Sequence, residues 1–349
     1  MNPKAKKFLS NFFFGLLSND HAMEGAKSNP WWVALIIGFF GAVIPVIPIT
    51  VSQAKTYGAS FLSSYTYRFD QNIARATVEL ATANKEFKVS DAELTYLENN
   101  APVETNISTD LTPVYTHVSE SSHQYELMIY YTNREKTDLK TFVNEIAAKT
   151  YVYHTVDPTP ADYEEAVYSP SFVVLSKTSL YTRVNKDDSN VVGNNAYTSY
   201  SADWKHFKEG SLLIADALPE GKTAAQVDLN KSSDVEAIFK NWKEYYNKSY
   251  LTQKTYNTWM TSLLFLGIYV ALELVMGLLV FLLTRGKNNM FNYLKWIDTQ
   301  KIVWWASLAP AILAMIVGFI FSNFAQMMFI ILLGMRVMWL SMKQLRPQY

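Results

Sequence analysis

The sequence predicts a multi-pass α-helical membrane protein, with four transmembrane helices and an extracytoplasmic α+β domain between spans one and two. Three observations predict it. Four apolar stretches are each about 20 residues long, enough to cross roughly 30 Å of hydrocarbon. Basic residues flank those stretches on one side only. The charge is also divided: residues 52–257 hold 20 Lys+Arg against 27 Asp+Glu and the remainder 11 against 4, so the net zero is the sum of −7 and +7.

Residues 1–30 are a basic cytoplasmic leader. Within it, Phe8–Leu17 is too short to span and fits either a helix lying in the inner leaflet or one buried against the spans. Residues 31–51 form span one, with Pro45 and Pro48 expected to kink or end the helix. Ser52-Gln53-Ala54 could pass as a signal cleavage site, but the span is long and follows a 30-residue leader, which favours an uncleaved anchor. Span two falls in 258–284, a cytoplasmic loop in 285–301, span three in 302–321, and span four with a short tail in 322–349. Met290–Asp298 in that loop reads as a second interfacial helix. Lys4, Lys6, Lys7 and Lys27 precede span one; Arg285, Lys287, Lys295 and Lys301 lie between spans two and three; Lys343 and Arg346 follow span four. The positive-inside rule then places both termini in the cytoplasm and residues 52–257 outside. Trp31, Trp32, Trp259, Trp304, Trp305 and Trp339 lie near span ends, as an aromatic belt requires.

The outer segment changes texture along its length. Ser60–Leu97 reads mainly as helix, with Ser90 and Glu93 spaced as a capping box. Tyr125–Thr132 reads as a strand and Thr137–Thr150 as a helix with Leu139, Phe142 and Ile146 on one face. Ser171–Val184 reads as a hairpin and Asn185–Asn195 as a loop. Ser233–Thr258 is an amphipathic helix expected to continue into span two as one long helix.

The chain has no cysteine, which removes disulfides, thiolate nucleophiles and iron–sulfur clusters. It carries no phosphate-cradling glycine loop or hydrolase elbow, and no basic groove suited to nucleic acid. No cofactor is expected. His154 with Asp157 and Asp162 could form an outer metal site, although a solvated loop is the simpler reading. The 19 tyrosines of the outer segment, with Trp204 and Trp242, could form a platform for a small ligand or peptide, or could be core.

The sharpest candidate lies in the membrane. Glu273 is mid-way along span two and Arg336 is in the inner half of span four. A charge in hydrocarbon costs at least about 2.5–3.5 kcal/mol unless paired or solvated. Counting inward at about 1.5 Å per residue puts both near 16–18 Å from the outer edge. Matched depths predict an intramembrane ion pair, either a structural clasp or a relay. Alternatively the two never meet, and Arg336 snorkels to the inner interface. Tyr269 and Gly277 share the Glu273 face at one turn either side, the tyrosine as a hydrogen-bond partner and the glycine to allow close helix approach.

Ser171–Val184, followed by Ser199–Asp203 and Phe207–Leu218, together with Met290–Ala309, resembles an uncharacterised family of Gram-positive bacterial membrane proteins. Some of that family are named for maltodextrin-utilisation operons. The resemblance implies the plasma membrane of a bacterium and the same layout of leader, single span, outer domain and C-terminal helix cluster, and it brings no catalytic residues. The expected function is that of a non-enzymatic accessory or partner-binding membrane protein. Its outer domain would recognise a ligand or partner. Its helix cluster would sit in the bilayer and dock on another membrane complex, such as a sugar-uptake transporter. The alternatives are a transporter or channel subunit that uses Glu273 and Arg336, or a membrane-anchored outer enzyme.

Overall fold

The computed structural model describes residues 3–63, 68–104, 111–119, 125–134, 136–149, 151–153, 166–168, 170–185, 197–286, 289–321, 324–343 and 345. In chain order the helices are α1 (Pro3–Gly15), α2 (Asn19–Ser28), α3 (Trp31–Val43), α4 (Val46–Ala54), α5 (Phe69–Thr82), α6 (Lys136–Ala148), α7 (Ser232–Leu283), α8 (Trp296–Ile320) and α9 (Ala325–Lys343). The strands are β1 (Lys85–Ser90), β2 (Glu93–Glu98), β3 (Ala101–Pro102), β4 (Tyr115–Val118), β5 (Tyr125–Thr132), β6 (Tyr151–Tyr153), β7 (Ala166–Tyr168), β8 (Ser171–Ser176), β9 (Ser179–Asn185) and β10 (Tyr197–Asp203). The chain divides into two compact units, Met1–Lys55 with Thr255–Tyr349, and Thr56–Lys254.

The first unit is helical. Three stretches are long and apolar enough to cross a membrane: Trp31–Ala54, part of α7, and α8. With them the chain reads as a membrane protein carrying a separate small sheet domain. The expected fourth span is α9, a helix of 19 residues that is not among those three. α3 stops at Val43 and α4 resumes at Val46 with Pro45 between them, the break that a missing N–H imposes.

α8 is the hub of this unit. On α3, Gly38 faces the Trp304 indole and Gly41 faces Ser307, and in each case a Cβ would collide with the α8 side chain. Small residues let the two backbones approach closely. Both series ascend, so α3 and α8 run parallel. The contacts of α7 with α8 run the other way, from Glu273 and Gly277 to Gln300 and Thr299. The leader packs here too: Phe8 of α1 meets Trp305 edge-on at 6.0 Å, and Gly25 of α2 lies against the same indole. Phe13 and Phe14 remain exposed at 60% and 55%, so α1 packs one face on this unit and leaves the other free.

Met290–Asp298 is not a separate interfacial helix. Residues 290–293 are turns, and α8 already begins at Trp296. Asp298 marks that start, because its carboxylate accepts the Lys295 N–H at 3.0 Å. Arg285 holds the connection by donating to the carbonyls of Asn292 and Leu294 at 3.2 and 3.1 Å.

The second unit centres on a five-stranded sheet in the order β10-β9-β8-β5-β4, in which only the β5–β8 pair is parallel. A parallel pair needs a crossover connection, and α6 lies within it. Met128, Tyr130, Phe172 and Val174 bury one sheet face against Leu139, Phe142 and Ile146 of α6. Leu127, Ile129, Tyr131, Val173 and Leu175 bury the other face with residues of α5 and of α7. Covering on both faces explains why β5 and β8 are nearly continuous apolar runs. The strand Tyr125–Thr132, the helix after it and the hairpin at Ser171–Val184 form where expected, with Lys177 and Thr178 at the hairpin turn. α7 is continuous from Ser232 to Leu283, as the amphipathic pattern anticipates. Residues 186–195 lie outside the described residues.

Among the described residues of Ser60–Leu97, helix occurs only at α5 and in the short 3-10 turn Gly58–Ser63. Ser90 and Glu93 do not cap a helix. They are the paired ends of the β1–β2 hairpin, whose two-residue turn is Asp91-Ala92 with φ of 52° and 61°. Two successive left-handed residues suit the right-handed twist of a hairpin. The buried residues Phe87, Val89, Leu94 and Tyr96 alternate with period two, and that outweighs the capping spacing.

Two outcomes follow for this unit. An alanine in the left-handed region costs about 1–2 kcal/mol relative to glycine, so Ala92→Gly should raise the unfolding midpoint in a denaturant titration. An unchanged or lower midpoint would show that the turn is unstrained. At the start of α7 the Lys222 ammonium lies 2.6 and 2.7 Å from the Asp234 carboxylate and holds that carboxyl below the usual aspartate range. Because the folded pKa is depressed, this stabilisation is present above the unfolded value and is lost as pH falls through the folded one. Asp234→Asn should therefore flatten the acid limb of stability against pH and leave the alkaline limb alone.

Candidate functional site

A band of buried polar side chains crosses the helical unit. Glu273 on α7 is 2% exposed, and Thr299, Gln300 and Ser307 on α8 are fully buried. Gln300 donates from Nε2 to the Glu273 carbonyl at 3.0 Å, and the Thr299 hydroxyl lies 3.1 Å from the Gly277 carbonyl and 2.8 Å from the Trp296 carbonyl of its own helix, which share its proton. Both bonds depend on close approach: a Cβ at Gly277 would collide with the Gln300 amide. Tyr269, one turn before Glu273, packs edge-on against Phe329 of α9 at 4.9 Å. Tyr269, Glu273 and Gly277 therefore present one face of α7 to the interior. Further along the same helix, the Ser262 hydroxyl lies 2.7 Å from that of Thr50 on α4.

Glu273 points into the space that Gly41 leaves free. Its Oε1 lies 2.9 Å from where a Gly41 Cβ would stand, beside the Ser307 hydroxyl, and has no hydrogen-bond partner among the described residues. The Ser307 hydroxyl itself donates to the Trp304 carbonyl at 2.9 Å.

Arg336 has different partners. Its Nε donates to the Asn19 side-chain oxygen at 3.0 Å, Nη1 to the Ala306 carbonyl at 2.9 Å, and Nη2 to the Gly15 carbonyl. Each acceptor has a structural reason to be available. Ala306 lies four residues before Pro310 inside α8, and proline has no N–H to satisfy that carbonyl. Gly15 ends α1, where terminal carbonyls lack intrahelical partners. Asn19 opens α2. The guanidinium thus joins α9, α8, α1 and α2 through its donors.

Glu273 and Arg336 do not form the expected ion pair: the guanidinium goes to carbonyls and an amide oxygen, and Glu273 faces Gly41 and Ser307. Their matched depth is visible in the structure, because they reach the consecutive residues Ser307 and Ala306 of α8. Successive helical residues point about 100° apart, so the hub helix turns the two charges away from each other. The Arg336 head group is engaged with the leader helices through Asn19 and Gly15. Sequence reasoning did not include Asn19, Ala306, Pro310 or Gln300. Pro310 was the available signal, since a proline in a span implies a carbonyl in need of a donor.

In the sheet-containing unit, Trp204 and Trp242 are core rather than platform. Each is 1% exposed, and their indole N–H groups donate to the Ser176 carbonyl and the Thr77 hydroxyl, both at 2.9 Å. His154, Asp157 and Asp162 lie outside the described residues, and no His/Asp/Glu cluster fit for a metal occurs among the described ones.

If the two charges act separately, the stability losses from Glu273→Gln and Arg336→Met should add within about 0.5 kcal/mol in the double variant. Recovery of stability in the double variant would instead mean a direct pair. Gly41→Leu should cost about 1–3 kcal/mol or more by overpacking, read as a lower thermal midpoint in detergent.

No protein-family model matches this chain, and no curated protein or solved structure matches it, so its function is read from its own residues.

Proposed function

We propose that this is a non-enzymatic integral membrane protein whose outer domain recognises a ligand or partner and whose helix cluster docks on another membrane complex. In this reading α9 is a fourth span, both termini are cytoplasmic, and residues 52–257 lie outside. The observation that carries it is the use made of Arg336. Its donors close helix-end and proline-freed carbonyls within the chain, which is the work of a structural clasp. The outer unit spends its large aromatic side chains in the same manner, with Trp204, Trp242 and Tyr246 filling its core. The directions of the helices support the topology, since α3 and α8 run one way and α7 the other, as alternating spans with basic ends on one side require. Apolar side chains such as Leu313, Ile316, Phe319 and Ile320 remain exposed on α8 at 49–66%, available to lipid or to a membrane partner. The layout resemblance points to a sugar-uptake transporter as that partner.

One observation favours a second reading, a transporter or channel subunit. The Glu273 carboxylate is buried without a cation at ion-pair distance among the described residues, and buried intramembrane acids often mark ion pathways. In that case Glu273→Gln abolishes a flux while expression and thermal stability are kept.

The absence of native cysteine makes the topology directly testable. A membrane-impermeant maleimide should label Lys205→Cys and Phe321→Cys in intact cells, and Gly286→Cys and Lys343→Cys only after permeabilisation. Labelling of Lys343→Cys in intact cells would remove the fourth span and the shared side of the termini. Purification in mild detergent should bring a stable membrane partner with the chain, and a chain recovered alone from its native membrane would count against docking.

A further inference from the structure

We infer that the cleft between α2 and the start of α8 is a binding site for the phosphate headgroup of an anionic phospholipid. The cleft, about 220 Å³ in volume, is lined by Lys27, Tyr293, Leu294, Asp298, Lys301 and Ile302 among others. That is below the roughly 300–1,000 Å³ of sites for whole small molecules, and it suits a headgroup whose acyl chains remain in the bilayer. Lys27 stands in the last turn of α2 and Lys301 in the second turn of α8. Neither ammonium has an ion-pair or hydrogen-bond partner among the described residues, whereas Lys7 nearby in sequence is engaged by Glu24 at 2.9 Å. The one carboxylate in the cleft, Asp298, is turned to the Lys295 N–H. Two unengaged cations therefore face a space with an apolar wall of Leu294 and Ile302.

The surroundings select a lipid over a soluble anion. α3 and α8 run parallel, so the cleft lies at the end of the bundle where both helices begin. The tryptophans at that end, Trp31, Trp32 and Trp296, are 57%, 54% and 44% exposed, as indoles at headgroup level are. Basic pockets between membrane helices on the cytoplasmic side are suited to anionic headgroups. The inference rests on the proposed orientation, with this end at the inner leaflet.

The test uses the full-length protein in nanodiscs containing phosphatidylglycerol and phosphatidylcholine, with retained lipids read by native mass spectrometry. The wild type should retain phosphatidylglycerol preferentially. The Lys27→Gln/Lys301→Gln variant should bind it about 30-fold more weakly, which is ~1 kcal/mol per lysine near an anionic surface converted at ~1.4 kcal/mol per tenfold. Lys343→Gln, which removes a basic residue elsewhere, should leave retention unchanged. Equal retention of both lipids by the wild type, or undiminished retention by the double variant, overturns the inference. Binding of inorganic phosphate in phosphatidylcholine-only discs, with the same dependence on both lysines, makes the cleft a soluble-anion site and overturns the lipid assignment. Lys27 is exposed and Lys301 half-buried, and an unchanged thermal midpoint in the double variant shows that the fold is kept. A chain that enters the discs but shows no lipid preference removes this inference alone; failure of the maleimide topology removes the orientation beneath it.

Discussion

The helical unit depends on one repair. Pro310 interrupts the hydrogen-bond ladder of α8 and leaves the Ala306 carbonyl without its usual N–H. In hydrocarbon an unsatisfied backbone group costs several kcal/mol. Arg336 of α9 supplies the donor at 2.9 Å. The same guanidinium closes the last carbonyl of α1 and takes the side-chain oxygen of Asn19. A lysine could not reproduce this, because a planar group with five donors reaches several acceptors at once where an ammonium is a compact point charge. The proline, the arginine and the leader helices therefore form one device, and none of the three is explained without the others.

Around that device, α8 takes neighbours on several sides by different means. Glycines of α3 let large α8 side chains lie against bare backbone, and side-chain donors of α8 reach α7 carbonyls. This is packing of the kind expected where lipid gives no hydrophobic drive between helices, with close contact and internal hydrogen bonds in its place. Glu273 sits in the same glycine-made space without a cation at ion-pair distance among the described residues, so the packing does not explain its charge. That separates the two charges of the helical unit in meaning: Arg336 is accounted for by what it holds, and Glu273 is where a transport role would reside.

Much of the layout was legible in the sequence, and the misreadings have physical causes. The α7 face of Tyr269, Glu273 and Gly277 follows from helical spacing alone, as does the continuity of the amphipathic segment into the apolar one. Depth counting correctly put Glu273 and Arg336 at one level. It could not show that the two would turn to different partners beside α8, because spacing along one helix says nothing about the angle at which its neighbours stand. The hairpin at Ser90–Glu93 reads as a helix start in sequence because a serine and a glutamate three apart serve either motif, and Asp91-Ala92 lacks the glycine that usually marks a tight turn. The strand after the Asn185–Asn195 stretch and the short α2 carry too little periodicity to be read without their tertiary partners.

The central claim is that Arg336 is retained to satisfy the carbonyl that Pro310 exposes. A double-mutant cycle on thermal stability in detergent measures it directly, using Arg336→Met and Pro310→Ala. Alanine at 310 restores an N–H to the Ala306 carbonyl, so the loss caused by Arg336→Met should be smaller in the Pro310→Ala background by about 1 kcal/mol, the net worth of one hydrogen bond. An equal loss in both backgrounds would contradict the account, because Arg336 would then be held for reasons unrelated to the proline.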